Sequence, residues 1–181
     1  LNAVHGLFQV CERIYQVRGF DIANMTIIEG DSGLILIDPL MVCEAAAAAL
    51  ALYRKHRGER PVRCVIYSHS HVDHYGGVEG VITPTQAASG EVRVIAPAGF
   101  MEAAISENVF AGNAMNRRMQ WQYAVLLQRN PYGHVDQAIG KNVAAGSAGL
   151  IAPNRLISKD FEEITVDGVT MVFQNAPDTE A

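Results

Sequence analysis

A cluster of histidines directly after a short apolar segment is the feature that most limits how this chain can fold. His69, His71 and His74, half of the chain's six histidines, lie within six consecutive residues together with Asp73. They follow Val62–Tyr67, a mainly apolar and β-branched run that predicts a buried strand. Neutral imidazole and carboxylate groups are good ligands for Zn²⁺ and similar ions. The cluster therefore predicts a metal site at the end of a core strand.

The spacing of these four side chains fits one or two metal ions. In an extended segment His69 and His71 point to the same side, because side chains alternate. If the chain then turns, Asp73 and His74 face a second point nearby, and the two glycines that follow let the backbone leave the turn without a Cβ clash. The alternative is a solvated polar loop with no metal. The position of the cluster directly after a core strand argues against that alternative.

Composition excludes several classes of protein. The chain has 181 residues, of which 49% are hydrophobic and 18% charged, whereas disordered segments are poorer in apolar residues. Its longest apolar run, Ala45–Leu52, is far shorter than the roughly 20 residues of a membrane-spanning helix. The formal net charge of −5 gives no reason to expect an anionic partner. We therefore expect no nucleic-acid partner and no membrane span.

Two predicted hairpins indicate an α/β (α+β) fold whose sheets are not purely parallel. Each pairs two apolar runs across a turn that contains glycine. The first joins Asn24–Glu29 to Leu34–Ile37, and the second joins Phe161–Val166 to Val169–Asn175. Between them, Asn130–Pro153 carries glycines and prolines and is predicted to be a long loop.

Helices are predicted between these hairpins. Val42–His56 is followed by a glycine at position 58 and ends in basic residues, both typical of a helix C-terminus. Glu91–Ala96 predicts a strand, and Pro97 is placed to open the helix after it. Ala111–Leu127 has helical periodicity, which favours core positions for Trp121 and the methionines of this segment.

Two segments of the chain resemble the metallo-β-lactamase superfamily. Ser68–Gly77 carries that superfamily's His-x-His-x-Asp-His signature. Gly33–Pro39 resembles its hairpin strand that ends in an aspartate. The resemblance implies a metallo-β-lactamase-like αββα sandwich, incomplete in this chain, in which Asp38 supports the metal site from behind a histidine ligand. A helix-capping or turn residue is the alternative for Asp38.

A narrower resemblance, to the alkyl sulfatases related to bacterial SDS hydrolases, extends along nearly the whole chain. It rests on Gln16–Asp21, Glu107–Arg118, Gly149–Pro153 and Phe173–Ala181. The histidine motif identifies only the superfamily, whereas the Ala-Gly-Asn-Ala-Met stretch and the terminal Thr-Glu-Ala are typical of this family. The resemblance implies zinc-dependent hydrolysis of alkyl sulfate esters to alcohol and sulfate by a metal-activated water, in the full-length enzyme.

The same resemblance implies a site with two zinc ions. His69, His71 and Glu180 would hold one ion, and Asp73 and His74 would contribute to the other, with Asp73 also assigned a catalytic role. Lactamases and thioesterases of the superfamily usually have a histidine where this chain has Glu180. Without the resemblance, Glu180 would be interpreted as an exposed acid near a chain end.

Candidate substrate contacts lie in the family-like helical segment. Asn113, Gln122 and Tyr123 are placed to hydrogen-bond the sulfate group, with ordinary helix-surface or core polar roles as the alternative. Arg117 and Arg118 would add positive potential near an anionic substrate, or form a solvated helix face.

The resemblance also implies that residues 1–181 are the N-terminal portion of a longer catalytic domain. The family completes its second zinc site with a downstream glutamate and histidine, and adds a dimerisation region and a C-terminal sterol-carrier-like domain. We therefore expect a homodimer when full length, and no activity from this chain alone. Two alternatives stay open: another hydrolase of the superfamily, such as a thioesterase or lactamase, and a non-catalytic truncated metal-binding domain.

Overall fold

Short, mostly apolar strands form a seven-stranded mixed sheet. The computed structural model describes residues 4–133, 144–176 and 179. The strands lie side by side in chain order: β1 (Gly6–Cys11), β2 (Ile14–Arg18), β3 (Met25–Glu29), β4 (Leu34–Ile37), β5 (Val62–Ile66), β6 (Arg93–Pro97) and β7 (Arg155–Ile157). The first four are antiparallel, and β4 to β7 are parallel. Two further strands, β8 (Phe161–Val166) and β9 (Val169–Gln174), form a separate antiparallel hairpin.

Helical segments connect the parallel strands, as parallel pairing requires. They are α1 (Cys43–Arg57), α2 (Val72–Tyr75), α3 (Pro84–Ala88), α4 (Phe100–Ile105) and α5 (Gly112–Gln122), with a 3₁₀ turn at Val78–Gly80 and a π-helical turn at Ser106–Phe110. None of the helices among the described residues is both long and apolar enough to cross a membrane.

The two faces of the large sheet carry different layers. Leu34, Leu36 and Val65 belong to a core that also contains buried residues of α1, such as Leu50. Their neighbours point the other way, because side chains alternate along a strand. The second face of the large sheet packs against Ile164 and Val166 of β8. Its residues in this cluster are Ile35, Cys64, Ile66, Ile95 and Ile157. The predicted α/β fold is confirmed, with helices on one side of the sheet and a second sheet on the other.

Both predicted hairpins and the helix over α1 are confirmed, whereas two other predictions are wrong and one hairpin was not predicted. Pro97 is the last residue of β6, paired with Ile157, and the next helix begins at Phe100 after Gly99. A proline is tolerated there because the strand ends and needs no further donor. The hairpin of β1 and β2 was not predicted, because β1 is nowhere fully buried and lacks a clear apolar alternation.

The second wrong prediction concerns the segment before β7. The helix spans Gly112–Gln122, shorter than predicted, and follows the π-helical turn. It contains no buried residue, and Trp121 is 88% exposed. Periodicity identified an amphipathic helix but not what lies against its apolar side. Trp121 and the methionines of α5 are therefore not core residues within the described part of the chain.

Candidate metal centre

The histidine loop (Ser68–Gly77) begins where β5 ends, at the carboxyl edge of the parallel strands. This edge is where open α/β sheets bind ligands. Asp38 follows the neighbouring strand β4, and its N–H donates to the carbonyl of Ile66 at 2.9 Å. The parallel pairing of β4 with β5 therefore brings Asp38 beside the start of the histidine loop.

Close backbone packing fixes the far end of the histidine loop. The N–H of Gly77 donates to the carbonyl of Leu40 at 2.8 Å. A Cβ at Gly77 would lie 2.1 Å from the carbonyl oxygen of Pro39, so only glycine fits there. Asp38 and Leu40 both have left-handed backbone conformations, with φ of 56° and 63°. Such strain in non-glycine residues persists only where surrounding contacts hold it, often at functional sites.

The carboxylate of Asp38 organises the histidine loop. Oδ1 accepts from the N–H of Ser68 at 2.8 Å, and Oδ2 accepts from its hydroxyl at 2.7 Å. Oδ2 also lies 2.8 Å from Nδ1 of His74. Since the carboxylate can only accept, Nδ1 of His74 carries a proton, and a metal ion would take the lone pair of Nε2. That nitrogen lies 3.2 Å from Oδ2 of Asp73.

Hydrogen-bond donors and acceptors also determine which ring nitrogen of His69 carries the proton. The hydroxyl of Ser68 donates to Asp38, so it accepts from Nδ1 of His69, 2.9 Å away. Nε2 of His69 is therefore unprotonated, and it lies 3.1 Å from Nδ1 of His71. Asp38 thus orients His74 directly and His69 through Ser68, as expected of a group that supports metal ligands from behind.

The donor separations fit metal ligation. Two ligand nitrogens held at 2.0–2.1 Å from a tetrahedral Zn²⁺ lie about 3.3 Å apart. The His69–His71 pair, at 3.1 Å, and the Asp73–His74 pair, at 3.2 Å, are close to that separation. Within residues 4–133, 144–176 and 179, no three His, Cys, Asp or Glu side chains are arranged to hold one ion. A tetrahedral site takes four donors, so each pair supplies half of one.

Glu180, expected to join His69 and His71, lies outside the described residues. Its neighbour Thr179 lines a cavity of about 740 Å³ together with Ser70 and His71. Thr179 and the histidine loop therefore border the same cavity.

Burial and neighbouring charges set the protonation of the loop. Burial lowers the pKa of His69, and the charges of His74 and His71 lower it further. Burial alone would also lower the pKa of His74, but hydrogen bonds to Asp38 and Asp73 outweigh it and raise the pKa to about 9. Burial raises the pKa of Asp73, whereas the hydrogen bond and charge of His74 lower it to a net decrease. A cation binding here would displace a proton from His74.

A second cavity, of about 440 Å³, separates the histidine loop from α5. His71, Asp73 and Glu107 line one side of it. Its α5 side is lined by half-buried methionines and by polar and basic residues: Met115, Asn116, Arg118, Met119, Gln122 and Tyr123. The combination of apolar wall and cationic group suits an amphipathic anion.

The structure brings some of the predicted substrate contacts together and not others. Gln122 and Tyr123 line the 440 Å³ cavity beside Asp73. Asn113 is exposed and, at 100° per residue, lies on a different face of α5 from the lining residues.

Sequence reasoning missed Ser68 and Glu107. Ser68 lies immediately before the first histidine of the motif. That position could have indicated that its hydroxyl contacts the histidine ring. Glu107 lies within the family-like stretch but is 36 residues after His71, to which its carboxylate comes within 3.7 Å. No local pattern indicates that contact.

Comparison with known proteins gives a family match over most of the chain. A sequence profile described as the metallo-beta-lactamase superfamily matches residues 18–173. The solved structure of the stereoselective inverting sec-alkylsulfatase Pisa1 from Pseudomonas sp. is similar with a TM-score of 0.91 at 52% identity, covering 96% of this chain and 27% of that one.

Two curated relatives are similar along the whole chain. The alkyl/aryl-sulfatase BDS1 of Saccharomyces cerevisiae is 55% identical over 181 residues, which is 100% of this chain and 28% of the relative. An (R)-specific secondary-alkylsulfatase of Pseudomonas sp. is 52% identical over 182 residues, with the same two coverages of 100% and 28%. The chain therefore spans little more than a quarter of the length of these relatives.

Proposed function

The chain belongs to the metallo-β-lactamase superfamily, and from that premise we propose that it forms part of a zinc-dependent enzyme that hydrolyses alkyl sulfate esters, including dodecyl sulfate, to alcohol and sulfate. The observation that carries this proposal is the similarity, over the chain's whole length, to proteins named as alkyl sulfatases. Because the chain spans 28% of those relatives, the proposed activity is that of the full-length protein.

Superfamily membership implies metal binding, and we propose two zinc ions per site. His69, His71 and Glu180 would hold one ion, and Asp73 and His74 would contribute to the other. Within each described pair, the distance between the two donor atoms is close to that expected for two ligands of a tetrahedral zinc ion, which supports this assignment. When bound, zinc supplies a water of lowered pKa and positive charge for the developing sulfate anion. Asp73 is the carboxylate proposed to act at the reacting centre.

The residues around the 440 Å³ cavity support an amphipathic anionic substrate. Arg118 supplies a positive charge, and Gln122 and Tyr123 supply hydrogen-bonding groups for sulfate oxygens. Met115 and Met119 offer a flexible apolar wall for an alkyl chain. Asn113 would contact the sulfate group only in the longer protein.

We further propose that residues 1–181 form the N-terminal portion of the catalytic domain. The rest of the full-length protein would complete the second metal site and provide the contacts of a homodimer. Similarity to much longer relatives supports this assignment.

A substrate panel tests the proposed reaction. The full-length, zinc-replete protein is assayed on dodecyl sulfate, nitrocefin and a glutathione thioester, with inorganic sulfate measured for the first. We expect sulfate release from dodecyl sulfate, loss of it in His71→Ala, and retention in His56→Ala, an exposed histidine of α1. Turnover of nitrocefin or the thioester without sulfate release would contradict the proposal and favour another hydrolase of the superfamily.

A further inference from the structure

We propose that Glu107 is a positioning residue that orients His71, an inference that rests on the metal site of the proposed function. Oε1 of Glu107 lies 3.7 Å from Nε2 of His71. That separation is too long for a hydrogen bond and short enough for a small side-chain rotation or one bridging water to make one.

The two ring nitrogens of His71 face different groups. Nδ1 lies 3.1 Å from Nε2 of His69, on the side of the proposed ion. Nε2 points toward Glu107. A histidine that gives its Nδ1 lone pair to a metal carries its proton on Nε2, and that proton needs an acceptor. The carboxylate of Glu107 is placed to accept it.

The backbone around Glu107 is held in place for this contact. Glu107 lies in the π-helical turn Ser106–Phe110, in which the N–H of Ala111 donates to the carbonyl of Ser106 at 2.9 Å. Such turns occur frequently at functional sites. The neighbouring Asn108 donates from Nδ2 to the carbonyl of Ala104 at 2.9 Å and to the hydroxyl of Tyr75 at 3.0 Å.

Tyr75 connects this turn to the histidine loop. It is the last residue of α2, directly after His74, and is buried against Phe100, with ring centroids 5.4 Å apart. The Asn108–Tyr75 bond therefore fixes the π-helical turn relative to the loop. Glu107 and His71 also line both cavities beside the site, so their contact lies at the boundary of the proposed substrate space.

Glu107 would do for His71 what Asp38 does for His74. Carboxylates behind metal-binding histidines fix the ring orientation and tautomer, and removing one typically costs about 10–100-fold in metal affinity. Three histidines of one loop would then be oriented by three groups from three parts of the chain: Ser68 for His69, Glu107 for His71 and Asp38 for His74.

Metal affinity tests this role without relying on catalysis. Zn²⁺ affinity of the full-length protein is measured by chelator competition, and the visible spectrum of the Co²⁺ form reports ligand geometry. Glu107→Ala should weaken binding about 10–100-fold and alter the spectrum. Glu107→Gln keeps an acceptor oxygen and should lose no more than about tenfold. Glu102→Gln, an exposed glutamate on α4, should match the wild type.

Several results would overturn the inference. One is affinity of Glu107→Ala within twofold of wild type with an unchanged Co²⁺ spectrum. Another is an equally large loss in Glu107→Gln and Glu107→Ala, which would indicate a direct ligand. A wild-type protein that binds no metal overturns it together with the metal site. A wild type that binds metal but hydrolyses no sulfate ester contradicts only the proposed substrate, and the affinity comparison still decides the role of Glu107.

A coupled variant separates positioning from loss of folding. Asn108→Ala removes the bond to Tyr75 and should weaken Zn²⁺ binding when Glu107 is present, but add little in the Glu107→Ala background. Additive losses in the double variant would contradict a shared role. Thermal unfolding of the metal-free variants identifies any that fail to fold, in which case Glu107→Gln, the near-isosteric change, decides the inference.

Discussion

Oδ2 of Asp38 lies 2.8 Å from Nδ1 of His74, a residue 36 positions further along the chain. The contact exists because β4 and β5 are parallel neighbours whose carboxyl ends meet at one edge of the sheet. It places the proton of Nδ1 on the Asp38 side and directs Nε2 toward Asp73, where a metal ion would displace its proton. The carboxylate of Asp38 thereby orients the ring of His74 so that its Nε2 faces the proposed metal site.

Asp38→Asn should weaken metal binding. Asparagine tolerates the left-handed backbone of position 38, so the change removes the charge without adding strain. We expect about a 10–100-fold loss of Zn²⁺ affinity in the full-length protein, measured by chelator competition. Asp31→Asn, an exposed aspartate at the opposite end of β4, is the matched control. Equal affinities of Asp38→Asn and the wild type would argue against a supporting role for Asp38.

Gly77→Ala should destabilise the protein. The new Cβ would meet the carbonyl oxygen of Pro39 at 2.1 Å, and backbone on both sides would have to shift. We expect the free energy of unfolding to fall by about 1–3 kcal/mol, measured by denaturant titration. Gly112→Ala is the control, because nothing lies within 4 Å of its Cβ and alanine favours the helix that begins there. Unchanged stability in Gly77→Ala would contradict the close packing of the two turns.

Protonation of Asp167 should lower the free energy of unfolding at acid pH. Its carboxylate, in the turn between β8 and β9, accepts from the N–H of Gly33 at 2.7 Å and from the hydroxyl of Ser32 at 2.8 Å. Burial raises the pKa of Asp167, but these bonds and the charge of Arg63 together outweigh it and lower the pKa below its ordinary value. A carboxyl whose pKa is lowered by folding stabilises the protein above its unfolded pKa, and this contribution is lost as pH falls through the folded pKa.

The measurement compares unfolding of Asp167→Asn and wild type from pH 7 down to pH 2. At pH 7 the variant should be less stable by about 1–3 kcal/mol, the cost of hydrogen bonds to a charged group. The difference should shrink as the wild-type carboxyl protonates. Glu163→Gln, an exposed glutamate on β8, is the control. A difference between variant and wild type that stays constant over the whole pH range would contradict this account.

Tyr53→Phe should weaken the core beneath α1. The hydroxyl of Tyr53 donates to Oε1 of the buried Glu29 at 2.7 Å, and Arg57 donates to the same oxygen at 3.1 Å. Losing one donor leaves a buried carboxylate less well compensated, at a cost of about 1–3 kcal/mol. Thermal unfolding measures the effect. Tyr132→Phe, a change in a fully exposed side chain, is the control and should not alter stability measurably. Equal stability of the two variants would show that the bond contributes little.

The parts of the fold that sequence predicted are those set by local chemistry. The turn between β3 and β4 and the turn between β8 and β9 carry their glycines within a few residues of the paired strands. The histidine loop is likewise a continuous segment, so its ligand chemistry can be read without knowing the fold. Asp38 required the family resemblance, because its contact with His74 depends on parallel strand pairing.

Contacts between distant segments could not be predicted in this way. Asp167 contacts Ser32 across 135 residues. Glu107, in a π-helical turn, comes within 3.7 Å of His71, 36 residues earlier. The exposed Trp121 makes the same point for a helix face, since periodicity reports which side is apolar but not what lies against it. Glu180 lies outside the described residues and stays a prediction.

The central claim is that the histidine loop forms a zinc centre, and elemental analysis of the full-length protein tests it most directly. After zinc-replete expression and removal of loosely bound metal, we predict two equivalents of zinc per chain in the wild type. The double variant His69→Ala/His71→Ala should lose at least one equivalent, while the exposed His56→Ala keeps both. Less than one equivalent in the wild type, with no further loss in the double variant, would contradict the account.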